Sequence, residues 1–142
     1  MKSAILSQAK ELEAVICNAH SNLDFKGRLE VYNQYLSIIQ KRAYRGIPVA
    51  QYEYAQQFED STWLYLENPK RNVKKAFFWY SKACKNNFPA ACNNLAHYYE
   101  LGIGCKKNLS VALKLYRKAS ELGDNNGKSN YKIMMKQMQN QS

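Results

Sequence analysis

Long apolar runs are missing from this chain of 142 residues: nowhere do 18 consecutive apolar residues occur, so the sequence offers no membrane-spanning helix. Glycine and proline are scarce, at 6 and 3, which disfavours disorder and the many tight turns of a β architecture. The opening stretch Met1-Lys2-Ser3-Ala4-Ile5-Leu6-Ser7-Gln8-Ala9-Lys10 carries polar groups where a signal peptide needs its apolar segment. A cytoplasmic location is therefore expected, and a periplasmic or secreted one only if a signal was removed. There is no glycine-rich phosphate loop, and His20 and His97 stand far apart without a recurring ligand spacing around either. Acidic residues nearly vanish after the midpoint. Residues 1 to 69 carry 7 Lys/Arg against 8 Asp/Glu, whereas residues 70 to 142 carry 14 against 3. That asymmetry points to an acidic partner, a phosphate-rich surface or nucleic acid for the second half, or to a solvated lysine face.

What is present is apolar content of 46% with 23% charged residues, enough for one helical domain with a continuous core. Sliding the sequence on itself by 36 residues aligns Lys70-Arg71-Asn72-Val73-Lys74-Lys75-Ala76 with Lys106-Lys107-Asn108-Leu109-Ser110-Val111-Ala112, and Tyr80, Lys82 and Ala83 recur as Tyr116, Lys118 and Ala119. A shift of 41 sets Ile47-Pro48-Val49-Ala50, Tyr54-Ala55 and Phe58 against Phe88-Pro89-Ala90-Ala91, Leu95-Ala96 and Tyr99. The difference implies an insertion between Glu59 and Asn72, where Trp63, Leu64, Tyr65 and Leu66 lie. Each unit reads as two helices. In the second unit Ala91, Leu95, Ala96 and Tyr99 follow helical spacing, and Gly102 ends the helix where a left-handed residue satisfies the last carbonyls. Asn108 caps the next helix, whose stripe is Ala112, Leu115, Tyr116 and Ala119, and Gly123 closes it.

The pattern Leu95-Ala96-x-x-Tyr99-x-x-Gly102-x-Gly104, followed by Asn108, Ala112, Tyr116-x-Lys118-Ala119 and Gly123, resembles the Sel-one-like repeat, a relative of the tetratricopeptide repeat. The family pattern has Gly at Ala96 and usually Asp at Asn108. The resemblance implies an all-α right-handed α-solenoid of about seven helices forming one domain. Residues 1–46 are expected as N-terminal capping helices (3–19 and 28–45, with Leu29, Tyr32, Tyr35, Leu36 and Ile39 on one face). A degenerate repeat with the insertion follows at 47–87 and a second repeat at 88–123. A C-terminal capping helix is expected over 124–142. Helix pairs are expected near 48–60 with 72–86 and 88–101 with 108–122.

Chemistry is sparse. Cys84 and Cys92 flank the turn between units, and the segment around them resembles the Helicobacter cysteine-rich proteins, a Sel-one-like group in which such pairs form disulfides. The pair is thus a candidate disulfide, although in a reducing cytosol two small buried thiols are the expected form. Cys17 and Cys105 have no evident partner. Some members of that group are linked to penicillin binding. Ser7-Gln8-Ala9-Lys10 matches the S-x-x-K motif, but no S-D-N or K-T-G companion completes such a site, and two polar residues on a helix face explain it. His97 and Glu100 read as a surface pair. No cofactor, metal site or catalytic residue is expected, and the chain is read as a non-enzyme.

Stacked helix pairs curve so that the first helix of each pair lines a concave wall. By resemblance to the tetratricopeptide arrangement, the groove positions are Tyr52 and Gln56, Asn93 and His97, then Ser129 and Ile133, with Trp63 and Tyr65 of the insertion as further candidate anchors. Lys74, Lys75, Lys82 and Lys85 fall on the face opposite Ala76, Trp79, Tyr80 and Ala83, and Lys107, Lys114, Arg117 and Lys118 cluster likewise in the next unit. The expected function is binding of another protein with an acidic surface, as an adaptor or as an immunity-type protein that neutralises a toxin. The alternative is nucleic-acid binding by the basic second half, which lacks a reader motif.

Overall fold

In the computed structural model, residues 25–59 and 71–142 are described; the expected helix at 3–19, the Ser7–Lys10 motif, Cys17, Trp63 and Tyr65 lie outside them. Six α-helices and no strand occur among the described residues: α1 (Phe25–Tyr44), α2 (Pro48–Gln56), α3 (Val73–Lys85), α4 (Pro89–Leu101), α5 (Leu109–Glu121) and α6 (Asn125–Asn140). Each helix packs on the next in sequence, and α4 also meets α6, one unit further on. This is an all-α solenoid. The helix expected over 48–60 stops at Gln56, and the chain turns through Gln57, Phe58 and Glu59 by short-range backbone bonds.

The same turn leads into every first helix. Gly46, Asn87 and Gly123 each have φ above 60° (82°, 62° and 95°). Their amides bond the carbonyls of Ala43, Cys84 and Ser120. The next amides, of Ile47, Phe88 and Asp124, reach back to Arg42, Ala83 and Ala119. Two bonds around one left-handed residue close the orphan carbonyls of the preceding helix. Pro48 and Pro89 then occupy the first helical turn of α2 and α4, where a missing N–H costs nothing. Asp124 instead caps α6 by accepting from the Gly127 amide at 2.7 Å.

Second helices start identically. Asn72 and Asn108 are extended, and each side-chain oxygen accepts from the amide three residues on, Lys75 or Val111, at 3.1 Å. The amide of Asn108 bonds the carbonyl of Tyr99, and that of Asn72 bonds the carbonyl of Phe58, both at 2.8 Å. The residues between Glu59 and Arg71 are thus added without shifting the frame of the unit around them.

Small residues set the helix spacing. Ala50, Ala91, Ala55 and Ala96 on the first helices, and Ala76, Ala112, Ala83 and Ala119 on the second, have no exposed surface. At Gly127 an added Cβ would stand 2.6 Å from the Cβ of Ala119, so glycine here replaces the alanine of earlier units because α6 sits closer. Tyr80 and Tyr116 fill the space beside these contacts, both buried. On α1, Tyr32, Tyr35, Leu36 and Ile39 form a buried cluster against Tyr54, while Leu29 lies outside it and is partly exposed. At the other end Lys132 stands at the position of Ala96. That lysine is exposed where Ala96 is fully buried.

Gly104 has φ of 64°, and a Cβ there would lie 2.8 Å from the Val73 carbonyl oxygen at the start of α3. Gly46 is also left-handed but opens on empty space. Gly104→Ala is therefore expected to cost about 2–5 kcal/mol and Gly46→Ala about 1 kcal/mol in urea unfolding, the difference being steric rather than conformational. Equal losses would contradict the close approach.

Candidate functional site

Between α4, α6 and the turn after α2 lies a pocket of about 230 Å³ lined by Glu59, Asn93, Asn94, His97, Tyr98 and Asn130. Helix periodicity puts Asn93, Asn94, His97 and Tyr98 on adjoining faces of α4, while Glu59 arrives from the turn after α2 and Asn130 from α6. Asn130 donates its amide to the Asn93 oxygen at 2.9 Å, tying α6 to α4 across the groove. Each amide keeps further donors and acceptors toward the groove.

Two tyrosine–carboxylate bonds hold the acidic groups. The Tyr116 hydroxyl donates to Glu100 Oε2 at 2.6 Å, and Glu100 lies 3.7 Å from His97 Nδ1. The Tyr98 hydroxyl donates to Glu59 Oε1, also at 2.6 Å. In the 41-residue correspondence Glu59 is the counterpart of Glu100, and in the 36-residue one Tyr80 is the counterpart of Tyr116. Strict repetition would therefore pair Tyr80 with Glu59. Instead Tyr98 takes Glu59 from the next unit, and the Tyr80 hydroxyl, fully buried, lies beside Asn94 and Glu59 without a well-formed hydrogen bond. Burial first, then the neighbouring glutamate, pushes the hydroxyls of Tyr80, Tyr98 and Tyr116 well above the usual phenol range.

The structure treats the sequence-derived groove residues unequally. His97 and Ser129 are exposed and Asn93 is half-buried, all on the first helices; Ile133 is exposed on α6. Tyr52 is not a free anchor. Its ring packs 4.9 Å from Phe88 and 5.8 Å from Tyr80, centroid to centroid, and its hydroxyl accepts from Gln56 Nε2 at 3.2 Å. Burial raises its pKa, with Glu59 adding to the shift. Tyr52 and Gln56 thus form the wall between units. Sequence reasoning missed Glu59, Asn94, Tyr98 and Asn130; the last three each stand one residue beyond an expected groove position on a first helix, and Glu59 stands three beyond Gln56 in the turn after α2.

On the outer wall Lys74, Lys75, Lys82, Lys85, Lys107, Lys114 and Arg117 are exposed. Lys75 lies over the Phe58 ring at 5.5 Å and Lys82 over Phe78 at 5.1 Å, which holds their stems against the surface. Arg117 pairs with Glu121 at 3.0 Å. Lys118 departs from the expected solvated cluster: it is half-buried and donates to the Cys84 carbonyl at 2.9 Å, satisfying the C-terminus of α3 from the next unit. Cys84 and Cys92 are joined by a disulfide with Cα atoms 4.6 Å apart, where two reduced thiols were expected. The turn at Asn87 brings them together, and spacing alone does not set their oxidation state. The Cys105 thiol lies 3.5 Å from the Tyr98 carbonyl, and burial raises its pKa. No group of three or more His, Cys, Asp or Glu able to hold a metal occurs among the described residues, and no described helix is long and apolar enough to cross a membrane.

Paired helices on recurring left-handed turns, with a polar groove along the first helices, define a tetratricopeptide-like helical-repeat scaffold. The Sel1 repeat family model matches residues 48–88 and 89–124, and the chain belongs to the Sel1 repeat family. It is 38% identical over 72 residues to cytochrome c oxidase assembly factor 7 of Xenopus tropicalis, a match covering 50% of this chain and 31% of that protein. The chain therefore spans about a third of that curated relative. Among solved structures it resembles the Helicobacter pylori cysteine rich protein B (TM-score 0.63, 21% identity, 90% of this chain and 92% of that one). It also resembles a protective antigen of uropathogenic Escherichia coli displaying the same repeat fold (TM-score 0.72, 21% identity, 94% and 26%). Sel1 repeats are helical protein-interaction modules.

Removing the Tyr116 hydroxyl strands a carboxylate acceptor, so Tyr116→Phe is expected to lose about 1.5–3 kcal/mol in urea unfolding. Tyr80→Phe removes a hydroxyl without a well-formed hydrogen bond and is expected to leave stability unchanged or raise it; a comparable loss at both would show that Tyr80 is satisfied. The raised phenols also set a pH limit. They ionise near pH 10 in the unfolded chain and above it in the folded one, so their contribution is level below pH 10 and lost as pH rises beyond it. Chemical unfolding followed between pH 7 and 11 should show stability falling only above about 10.

Proposed function

We propose that this chain binds a partner protein through the groove formed by α2, α4 and α6, acting as an adaptor and performing no catalysis itself. The observation that carries this reading is the pocket where α4, α6 and the turn after α2 converge polar side chains. A binding surface needs such adaptable polar groups on a rigid frame. The assembly-factor relative, by its name, serves the assembly of another protein complex, which supports an adaptor over an immunity-type role.

The basic outer wall supports an acidic partner surface, since exposed lysines attract at long range and are screened by salt. Nucleic acid is the weaker reading: the lysines lie on the wall opposite the groove, and the nearby rings of Phe58 and Phe78 lie beneath Lys75 and Lys82 rather than offering a stacking platform. The Cys84–Cys92 disulfide supports an oxidising compartment over the cytoplasm expected from the N-terminus.

Affinity capture from the native cell, followed by kinetics on the recovered partner, tests the proposal. Lys74→Ala/Lys82→Ala should slow association several-fold at low salt and little at high salt, whereas Asn93→Ala/His97→Ala should speed dissociation. Abolition of binding by the lysine pair with the groove pair silent, or recovery of nucleic acid alone, would overturn it. Thiol titration of protein isolated without reductant should find Cys84 and Cys92 unreactive until reductant is added.

A further inference from the structure

The outward face of α3 carries charge that its own half of the chain does not answer. Lys74, Lys75, Lys82 and Lys85 are exposed and stand at i−4, i−3, i+4 and i+7 from Phe78, so helical periodicity rings that residue with lysines. The carboxylate side chains after residue 70 are Glu100, Glu121 and Asp124. All three are engaged elsewhere: Glu100 accepts from Tyr116, Glu121 pairs with Arg117, and Asp124 caps α6. Concentrated positive charge of this kind attracts an anionic surface.

Phe78 itself is a second, independent observation. The left-handed turns at Gly46, Asn87 and Gly123 set the helices in register, and in that register the counterparts of Phe78 are Ser37 on α1 and Lys114 on α5. Both counterparts are polar, whereas α3 has an aromatic side chain here that is 50% exposed. Its ring meets buried Trp79 edge-on at 5.3 Å, and Tyr44, 70% exposed at the end of α1, meets the same indole at 5.0 Å. One buried indole thus supports two protruding rings among lysines. Interfacial sites combine these two elements, cations on the headgroups and rings at the boundary beneath them.

Shape and ring access decide between anionic partners. None of these side chains lines the pocket beside Asn94 or the small cavity beside Tyr54, and a peptide needs a groove or a free strand edge to lie in. A nucleic-acid base needs an open ring face, and Lys82 Nζ stands over that of Phe78 at 5.1 Å. A lipid interface needs neither, because it yields around whatever protrudes.

We propose that the outward face of α3 docks the chain on an anionic lipid surface, with Lys74, Lys75, Lys82 and Lys85 on the headgroups and Phe78 and Tyr44 at the boundary with the acyl chains. This goes beyond the groove reading and does not depend on it, since it uses no residue of the pocket between α4 and α6.

The test is cosedimentation of the full chain with vesicles of phosphatidylcholine containing about a third phosphatidylserine, compared with phosphatidylcholine alone. The chain should bind the first and not the second, and binding should fall as salt is raised. Lys74→Ala/Lys82→Ala should weaken it about twenty-five-fold, at roughly fivefold per lysine. Lys132→Ala/Lys136→Ala removes the same charge from α6 and should weaken it by about twofold at most. Phe78→Ser, which installs the residue of α1, should weaken it about fivefold with the thermal melt little changed, and Phe78→Trp should bind at least as tightly as the parent. Equal losses from the two lysine pairs would show a response to net charge alone, and silence of Phe78→Ser would show adsorption without the ring; either result overturns the proposal. So does failure to bind the anionic vesicles at low salt. Tighter binding, lost in Phe78→Ser, of a single-stranded oligonucleotide or a glutamate-rich peptide at the same salt would overturn it in favour of nucleic acid or protein.

Discussion

One residue in the left-handed region, followed by two backbone bonds to the helix just ended, reverses the chain at Gly46, Asn87 and Gly123. Everything downstream depends on that geometry. It aims each new first helix back across the preceding second helix, close enough that only alanine or glycine fits at Ala50, Ala91 and Gly127. It also brings Cys84 to Cys92 and leaves the Cys84 carbonyl within reach of Lys118 from the unit beyond. Asparagine at 87 tolerates the conformation that glycine adopts freely, at a modest cost offset by the bonds it closes.

The repeat was legible in the sequence because these constraints act on backbone and volume. Left-handed turns select Gly or Asn, close approach selects Ala, and extended caps select Asn at 72 and 108. All of these recur at fixed spacing whatever the exposed residues do. Even the insertion could be located, since the bond from the Asn72 amide to the Phe58 carbonyl copies the one from Asn108 to Tyr99. The length of α2 was overestimated because nothing in Gln57-Phe58-Glu59 breaks a helix by propensity; the tertiary bond at Phe58 does it. Helical phase also fixes which residues share a face, and it put Asn93 and His97 together on α4, where both line the pocket. The family relationship holds over residues 48–124, and the fold extends beyond it to α1 and α6.

The rest of the site was not legible, for a reason that generalises. Partner choice among polar side chains depends on distances that periodicity does not encode. Tyr98 reaches into the preceding unit to Glu59, Asn130 reaches back to Asn93, and Tyr52 turns into the wall between Tyr80 and Phe88 rather than into the groove. Where the repeat is kept, as at Tyr116 and Glu100, the polar groups satisfy each other. Where Tyr98 takes Glu59, the Tyr80 hydroxyl is left buried beside Glu59 and Asn94 without a well-formed hydrogen bond.

The claim on which the functional account rests is that a protein segment occupies the concave wall and not the lysine-bearing outer wall. A photo-cross-linking residue placed at His97 or at Lys82, with the captured partner purified and irradiated in complex, measures this directly. The account predicts a covalent adduct from position 97 and little from position 82. Adducts from position 82 alone would place the partner on the outer wall and contradict it.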